Sequence, residues 1–282
     1  MGALAAAAFV PLLAYSVSLA VFGLAHVLYE LRYVDGRFGR RVGSRLKWTL
    51  AVGLFALVGF RAAGVADVVD SGLFELGFGA FLAAAVVPAM GVRGVAAAGV
   101  ALLIAAGMYL SPLHTFLIIA VLHNLTPVLF LWEARSPMTL PALCVFVGGP
   151  LLVASGLLQS IWWMPELTLL PTGALEGNLG AFLPPEWHAS DWAPHAFSGV
   201  VFAQLMHYGI VIHVLPTISQ DPPGFPWPRR FVLFVALLSA PLLAAFMFWS
   251  FREARAIYGI AATLHAWVEV PILLLALAPT RD

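Results

Sequence analysis

The run FGLAHVLYELRY sets His26 and Glu30 four residues apart, and near the other end of the chain TLHAWVEVP sets His265 and Glu269 at the same spacing. Four residues are about one helical turn, roughly 6 Å of rise on one face, so on a helix each imidazole has a carboxylate beside it. VLHNLTP adds His123, and AQLMHYGIVIHVLP adds His207 and His213. Neutral imidazole is the commonest biological metal ligand, and a ligating histidine usually gives its second N–H to a carboxylate or carbonyl that fixes its tautomer. A glutamate one turn away suits that part, or direct ligation. Imidazole with carboxylate suits iron or zinc, and a histidine-rich set with open positions suits Fe(II) that activates dioxygen. The single cysteine, Cys144, lies in an apolar run, which excludes a disulfide framework and a thiolate cluster. Any metal must therefore use nitrogen and oxygen ligands. Two other chemistries compete: haem held by histidines of two helices, and a proton-coupled relay of His and Glu. Haem has no need of a carboxylate one turn from its ligand.

The elements that must position these residues are apolar throughout. Of 282 residues 62% are hydrophobic and only 10% charged, far below the charge of an ordinary soluble domain. Runs of about 20 apolar residues recur from end to end, each long enough to cross a bilayer. The expectation is an all-α, polytopic transmembrane bundle forming one membrane domain over 1–282. Its spans fall at 9–33, 47–63, 72–90, 94–111, 114–133, 139–160, 196–217, 230–250 and 255–278. Reading the stretch at Gly91–Gly94 as a kink would reduce nine helices to eight. The amino terminus lacks a basic leader and a cleavage site, so it is read as the first span. Between Arg32 and Lys47 six basic residues face one acid, which places that loop in the cytoplasm, the amino terminus outside and the carboxyl terminus inside. Arg93, Arg135, Arg229, Arg230 and Arg281 then also fall inside, and Arg61, Arg252 and Arg255 outside.

The stretch 161–195 falls outside as an interfacial cap. It carries Trp162, Trp163, Trp187 and Trp192 as membrane anchors and no basic residue, and Pro165, Pro171, Pro184 and Pro185 argue against a regular helix through it. No internal repeat is visible. Formal net charge is zero, with 14 basic and 14 acidic residues, and nothing suggests a nucleic-acid partner.

An ionisable group at membrane depth is costly and normally faces the bundle interior. By depth, His26, His123, His207 and His265 can share one layer, while Glu30 and His213 fall nearer the cytoplasmic boundary. His207 and His213 are six positions apart, about 120° around a helix, so both cannot point at one centre. His207 is favoured because it is deeper and has Gln204 one turn before it. Glu75 is a further candidate near a helix end. His114, His188 and His195 read as solvated or interfacial, and Asp67 and Asp70 as facing water.

The GLAH of 23–26 with an acid at 30, the mid-chain LHN, a later helix with two histidines and a last helix with a histidine followed by an acid resemble the order of motifs in the bacterial membrane β-carotene dioxygenases of the Brp/Blh type. The resemblance spans most of the chain on short motifs. It implies iron held by His26, His123, His207 and His265, with His213 as the alternative from its helix, and oxidative cleavage of a carotenoid to retinal-like products. Ala25, Val27 and Glu30 stand where the family motif has Pro, Gly and Asp, and the paired histidines are one turn apart in the family against six positions here.

The functional expectation is an integral-membrane, non-haem iron oxygenase of a bacterial-type inner membrane. Dioxygen and a lipid-soluble substrate from the bilayer would be its partners, with Glu30 and Glu269 as catalytic carboxylates that orient or ligate. Haem electron transfer and proton-coupled transport are the alternatives, and haem or zinc the alternative cofactors. Two metals per chain would point to a di-iron site, since two His-x-x-x-Glu helices could hold one ion each. A retinal-binding rhodopsin is excluded, because the only lysine, Lys47, opens the second helix.

Overall fold

Backbone amides at membrane depth can pair only with one another, which leaves helix as the form an isolated apolar segment must take. The computed structural model describes residues 2–39, 42–218 and 228–276, and among them it is all-α, with no strand. Arg40, Arg41 and Arg281 of the charge argument lie outside the described residues. In chain order the helices are α1 (Gly2–Phe9), α2 (Pro11–Phe38), α3 (Ser44–Val65), α4 (Ser71–Ala85), α5 (Gly94–Leu110), α6 (Pro112–His123), α7 (Thr126–Glu133), α8 (Thr139–Ala154), α9 (Glu176–Leu179), α10 (Ala193–Gly209), α11 (Leu215–Ile218), α12 (Arg229–Phe248) and α13 (Phe251–Ala276). Among the described residues seven helical stretches are long and apolar enough to cross a membrane, or eight if the bent pair α6 and α7 is one span. α8, with 16 residues, is shorter. Such a set of helices is that of a multi-pass integral membrane protein.

Three departures from uninterrupted spans have local causes. The expected span 114–133 is two helices bent by 47°. Pro127 has no N–H, so the His123 carbonyl four residues earlier loses its helical partner. The Thr126 hydroxyl donates to that carbonyl at 2.7 Å, and the Asn124 side-chain amide donates to the Ala120 carbonyl at 2.9 Å. The break thus ends α6 at His123 with its carbonyls satisfied. The span expected to reach residue 160 stops at Ala154, followed by Gly156 at φ +78°, a left-handed residue that closes a helix and suits glycine. Past Gly209, residues Ile210–Val214 widen into a π turn in which Leu215 N–H reaches the Ile210 carbonyl five residues back. Pro216 could neither donate to the Ile212 carbonyl nor fit against it in a regular helix, and the wider turn relieves both problems. Residues 155–192 hold no helix longer than the four residues of α9, in keeping with their prolines.

The described residues gather into two compact units, the first of residues 2–29, 117–218 and 228–255, the second of 30–39, 42–116 and 256–276. In the first, α10 packs on α8 and α1. The approach to α8 needs glycine: a Cβ on Gly199 would stand 2.7 Å from the Pro150 carbonyl oxygen and 3.0 Å from Ala154 Cβ. Small residues let membrane helices approach this closely, because lipid supplies no hydrophobic drive between them. Met164 N–H donates to the Phe9 carbonyl at 2.8 Å, which ties the irregular segment to α1. In the second unit α3, α4 and α5 follow one another as packed neighbours, and the Asp70 carboxylate caps α4 by accepting from Gly72 N–H at 3.1 Å. Ala83, Val86, Met90, Ala97 and Leu274 form a buried core there.

Candidate metal centre

α2 and the stretch Ala193–Ile218 are the most enclosed of the long apolar helices, each with 61% of its apolar window buried, against 11% for α12. These two carry His26 and His207. A histidine on the enclosed part of either helix is therefore denied water and must find its partner within the protein. His26, His207, His265, Glu30 and Glu269 each expose 1% or less, whereas His123 is half-buried at the end of α6.

Within the first unit three of the expected histidines meet. The His26 and His207 ring centres are 5.3 Å apart at 85°, and those of His123 and His207 are 4.6 Å apart at 47°. An ion about 2.1 Å from an imidazole nitrogen lies roughly 3.2 Å from the ring centre, so two rings on one ion at angles of about 90–110° have centres roughly 4.5–5.2 Å apart. The His123–His207 spacing of 4.6 Å falls within that range, and the His26–His207 spacing of 5.3 Å stands at its upper edge. His26 Nδ1 lies 3.3 Å from the Phe22 carbonyl one turn earlier. A carbonyl only accepts, so Nδ1 carries the proton and Nε2 is the basic nitrogen a metal would take. On its other side the His26 ring stacks on Tyr208, 4.1 Å between centres and 28° between planes. One ring nitrogen each from His26, His123 and His207, all in the first unit, lie within 4.8 Å of one another. This cluster of histidines is able to bind a metal ion. His265, Glu30 and Glu269 belong to the second unit.

His213 is not among these groups. It lies in the π turn and is exposed, so of the two histidines in that stretch His207 is the enclosed one. His114 is exposed and hydrogen-bonded through Nδ1 to the Ser111 hydroxyl at 2.7 Å. His188 donates to the Leu183 carbonyl at 3.0 Å, and His195 stacks on Trp163 with ring centres 4.5 Å apart.

Glu75 is 2% exposed and has its own partners in the second unit. Its Oε1 accepts from Arg61 at 3.2 Å and from the Ser71 hydroxyl at 2.8 Å. This pairing joins α3 to α4 and makes Glu75 a structural carboxylate. Removing one partner of a buried pair costs about 3–5 kcal/mol, and Arg61, whose side chain is 37% exposed, lowers that through solvent screening. Arg61→Ala is expected to destabilise by about 2 kcal/mol in a detergent melting experiment. Glu75→Gln, which keeps an acceptor for both donors, should cost visibly less. Equal losses would contradict the pairing.

Sequence reasoning does not single out Arg61 as the partner of Glu75, nor Tyr208 as the residue stacked on His26. Arg61 carries one signal, as a charge inside an apolar span. Tyr208 carries none. No family model matches the chain, and neither a curated protein nor a solved structure matches it significantly.

Proposed function

We propose that the chain is an integral-membrane, non-haem iron oxygenase acting on a lipophilic substrate, of the kind that the Brp/Blh-type β-carotene dioxygenases exemplify, in a bacterial-type cytoplasmic membrane. The observation that carries this reading is the convergence of His26, His123 and His207, from separate stretches of the chain, at ring spacings of 4.6 and 5.3 Å. These three residues would hold the iron, and the resemblance to the Brp/Blh-type enzymes implies His265 as a fourth nitrogen ligand. Ferrous iron in such a set supplies activation of dioxygen through its open positions. Glu30 and Glu269, each one turn beyond a histidine on its helix, would ligate the iron directly or, for Glu269, accept the second N–H of its histidine, since that of His26 is already held by the Phe22 carbonyl. A hydrocarbon substrate would reach such a site from the bilayer, against which the helices present exposed apolar side chains. An isoprenoid such as a carotenoid is a hydrocarbon of that kind.

Ring spacing weighs against haem. Two imidazoles on opposite sides of one haem iron would stand with centres roughly 6 Å apart and the porphyrin between them, farther than either pair here. Proton-coupled transport has one observation in its favour, the broken span at His123, since discontinuous helices mark transporter sites. Proteoliposome uptake lost in Glu269→Gln would favour it.

Purification under anaerobic, iron-replete conditions followed by elemental analysis decides between them. About one iron per chain, with no Soret band, is expected. Incubating that protein with β-carotene and dioxygen should then yield shorter carbonyl products. Protein without stoichiometric metal defeats the proposal, zinc in place of iron defeats the oxygenase part of it, and about two irons per chain would make the site di-iron.

A further inference from the structure

We propose that Ser18 and Gln204 are positioning residues for the histidine cluster, a polar clamp that sets the register of α2 against α10. The inference rests on the metal reading above. Gln204 Nε2 donates to Ser18 Oγ at 3.1 Å across 186 positions of sequence, and both side chains are buried. Ser18 sends its own proton to the Tyr15 carbonyl one turn back, at 3.0 Å. Its oxygen is thereby left to accept, and the amide NH2 can only donate, so the direction of the interhelical bond is fixed at both ends.

The clamp stands about two turns before His26 on α2 and about one turn before His207 on α10. Beyond it, Tyr208 lies against the His26 ring. Rows of Ala, Val and Leu pack almost as well after a small slide or rotation, because dispersion contacts have no preferred direction. A hydrogen bond weakens over a few tenths of an ångström and some tens of degrees, and a metal site tolerates about 0.2 Å in its ligand distances. A directional contact one to two turns away supplies that precision where apolar packing does not. It carries no chemistry itself.

The test compares cobalt(II) binding by the purified full-length protein and its variants, since the visible bands of cobalt report ligand number and geometry. Ser18→Ala combined with Gln204→Leu removes both partners and leaves no orphaned polar group, so the melting temperature should hold. Cobalt affinity should nonetheless fall roughly tenfold or more, as for outer partners of metal ligands, and the bands should shift. Ser18→Thr keeps the hydroxyl and should retain both the affinity and the spectrum. A double variant with the affinity and bands of the unaltered protein overturns the inference. So does a parallel loss of affinity and melting temperature that the threonine variant shares. If the unaltered protein itself takes up neither cobalt nor iron, the metal reading fails and the clamp has nothing to position.

Discussion

Replacing His207 by leucine is expected to abolish iron retention and any dependent oxidation while leaving the protein folded. His207 is fully enclosed, and its ring has His26 at 5.3 Å and His123 at 4.6 Å, so it is the histidine that links the other two. Loss of a residue that merely supports a ligand weakens metal binding about 10–100-fold. Loss of a central ligand should exceed that, giving sub-stoichiometric metal after dialysis and at least about a hundredfold less turnover. Stability should change far less than metal retention. Leucine is close to imidazole in volume and fills the same buried space, so packing is kept. The same change at exposed His213 should leave metal content and turnover as they were. Iron content and melting temperature, measured on both variants and the unaltered protein, check this. A His207→Leu protein with normal iron, or a His213→Leu protein without it, would place the centre elsewhere.

The contrast between these two histidines also marks what is legible in the amino-acid sequence. Depth and helical angle separate His207 from His213, because both follow from counting residues along one element. The π turn that carries His213 is not legible in that way, although Pro216 supplies its cause. A proline in an apolar run permits a kink, a widened turn or a stop, and neighbouring packing selects among them. Pro127 illustrates the same ambiguity. The motif HNLTP draws attention to His123 for its imidazole, yet the Thr126 and Asn124 side chains that satisfy the broken turn decide that α6 ends there. The Arg61 contact with Glu75 lies beyond reach for another reason. It joins positions 14 apart on two helices, and only the α3–α4 turn brings them together. Periodicity and composition therefore locate elements and buried ionisable residues, whereas partners across helices depend on rotations that apolar sequence leaves undetermined.

Gly199 converts that last point into a prediction. Gly199→Val should destabilise the protein by about 2–3 kcal/mol, toward the upper end of what overpacking costs, and should also weaken metal binding. The obstacle to a side chain is the Pro150 carbonyl oxygen at 2.7 Å, an atom of backbone that cannot rotate aside. α8 and α10 must separate to admit the new methyl groups. His207 lies eight residues farther along α10, about 12 Å, so a shift of that helix carries its ring away from His26 and His123. Gly199→Ala should show the same two effects at smaller size. Part of the clash arises from Ala154 Cβ at 3.0 Å, and Ala154→Gly in the Gly199→Ala background should recover part of both losses together. Thermal melting and metal content measured on the same preparations distinguish the possibilities. Recovery of stability without recovery of metal binding would mean that α10 does not transmit its packing on α8 to the histidine cluster.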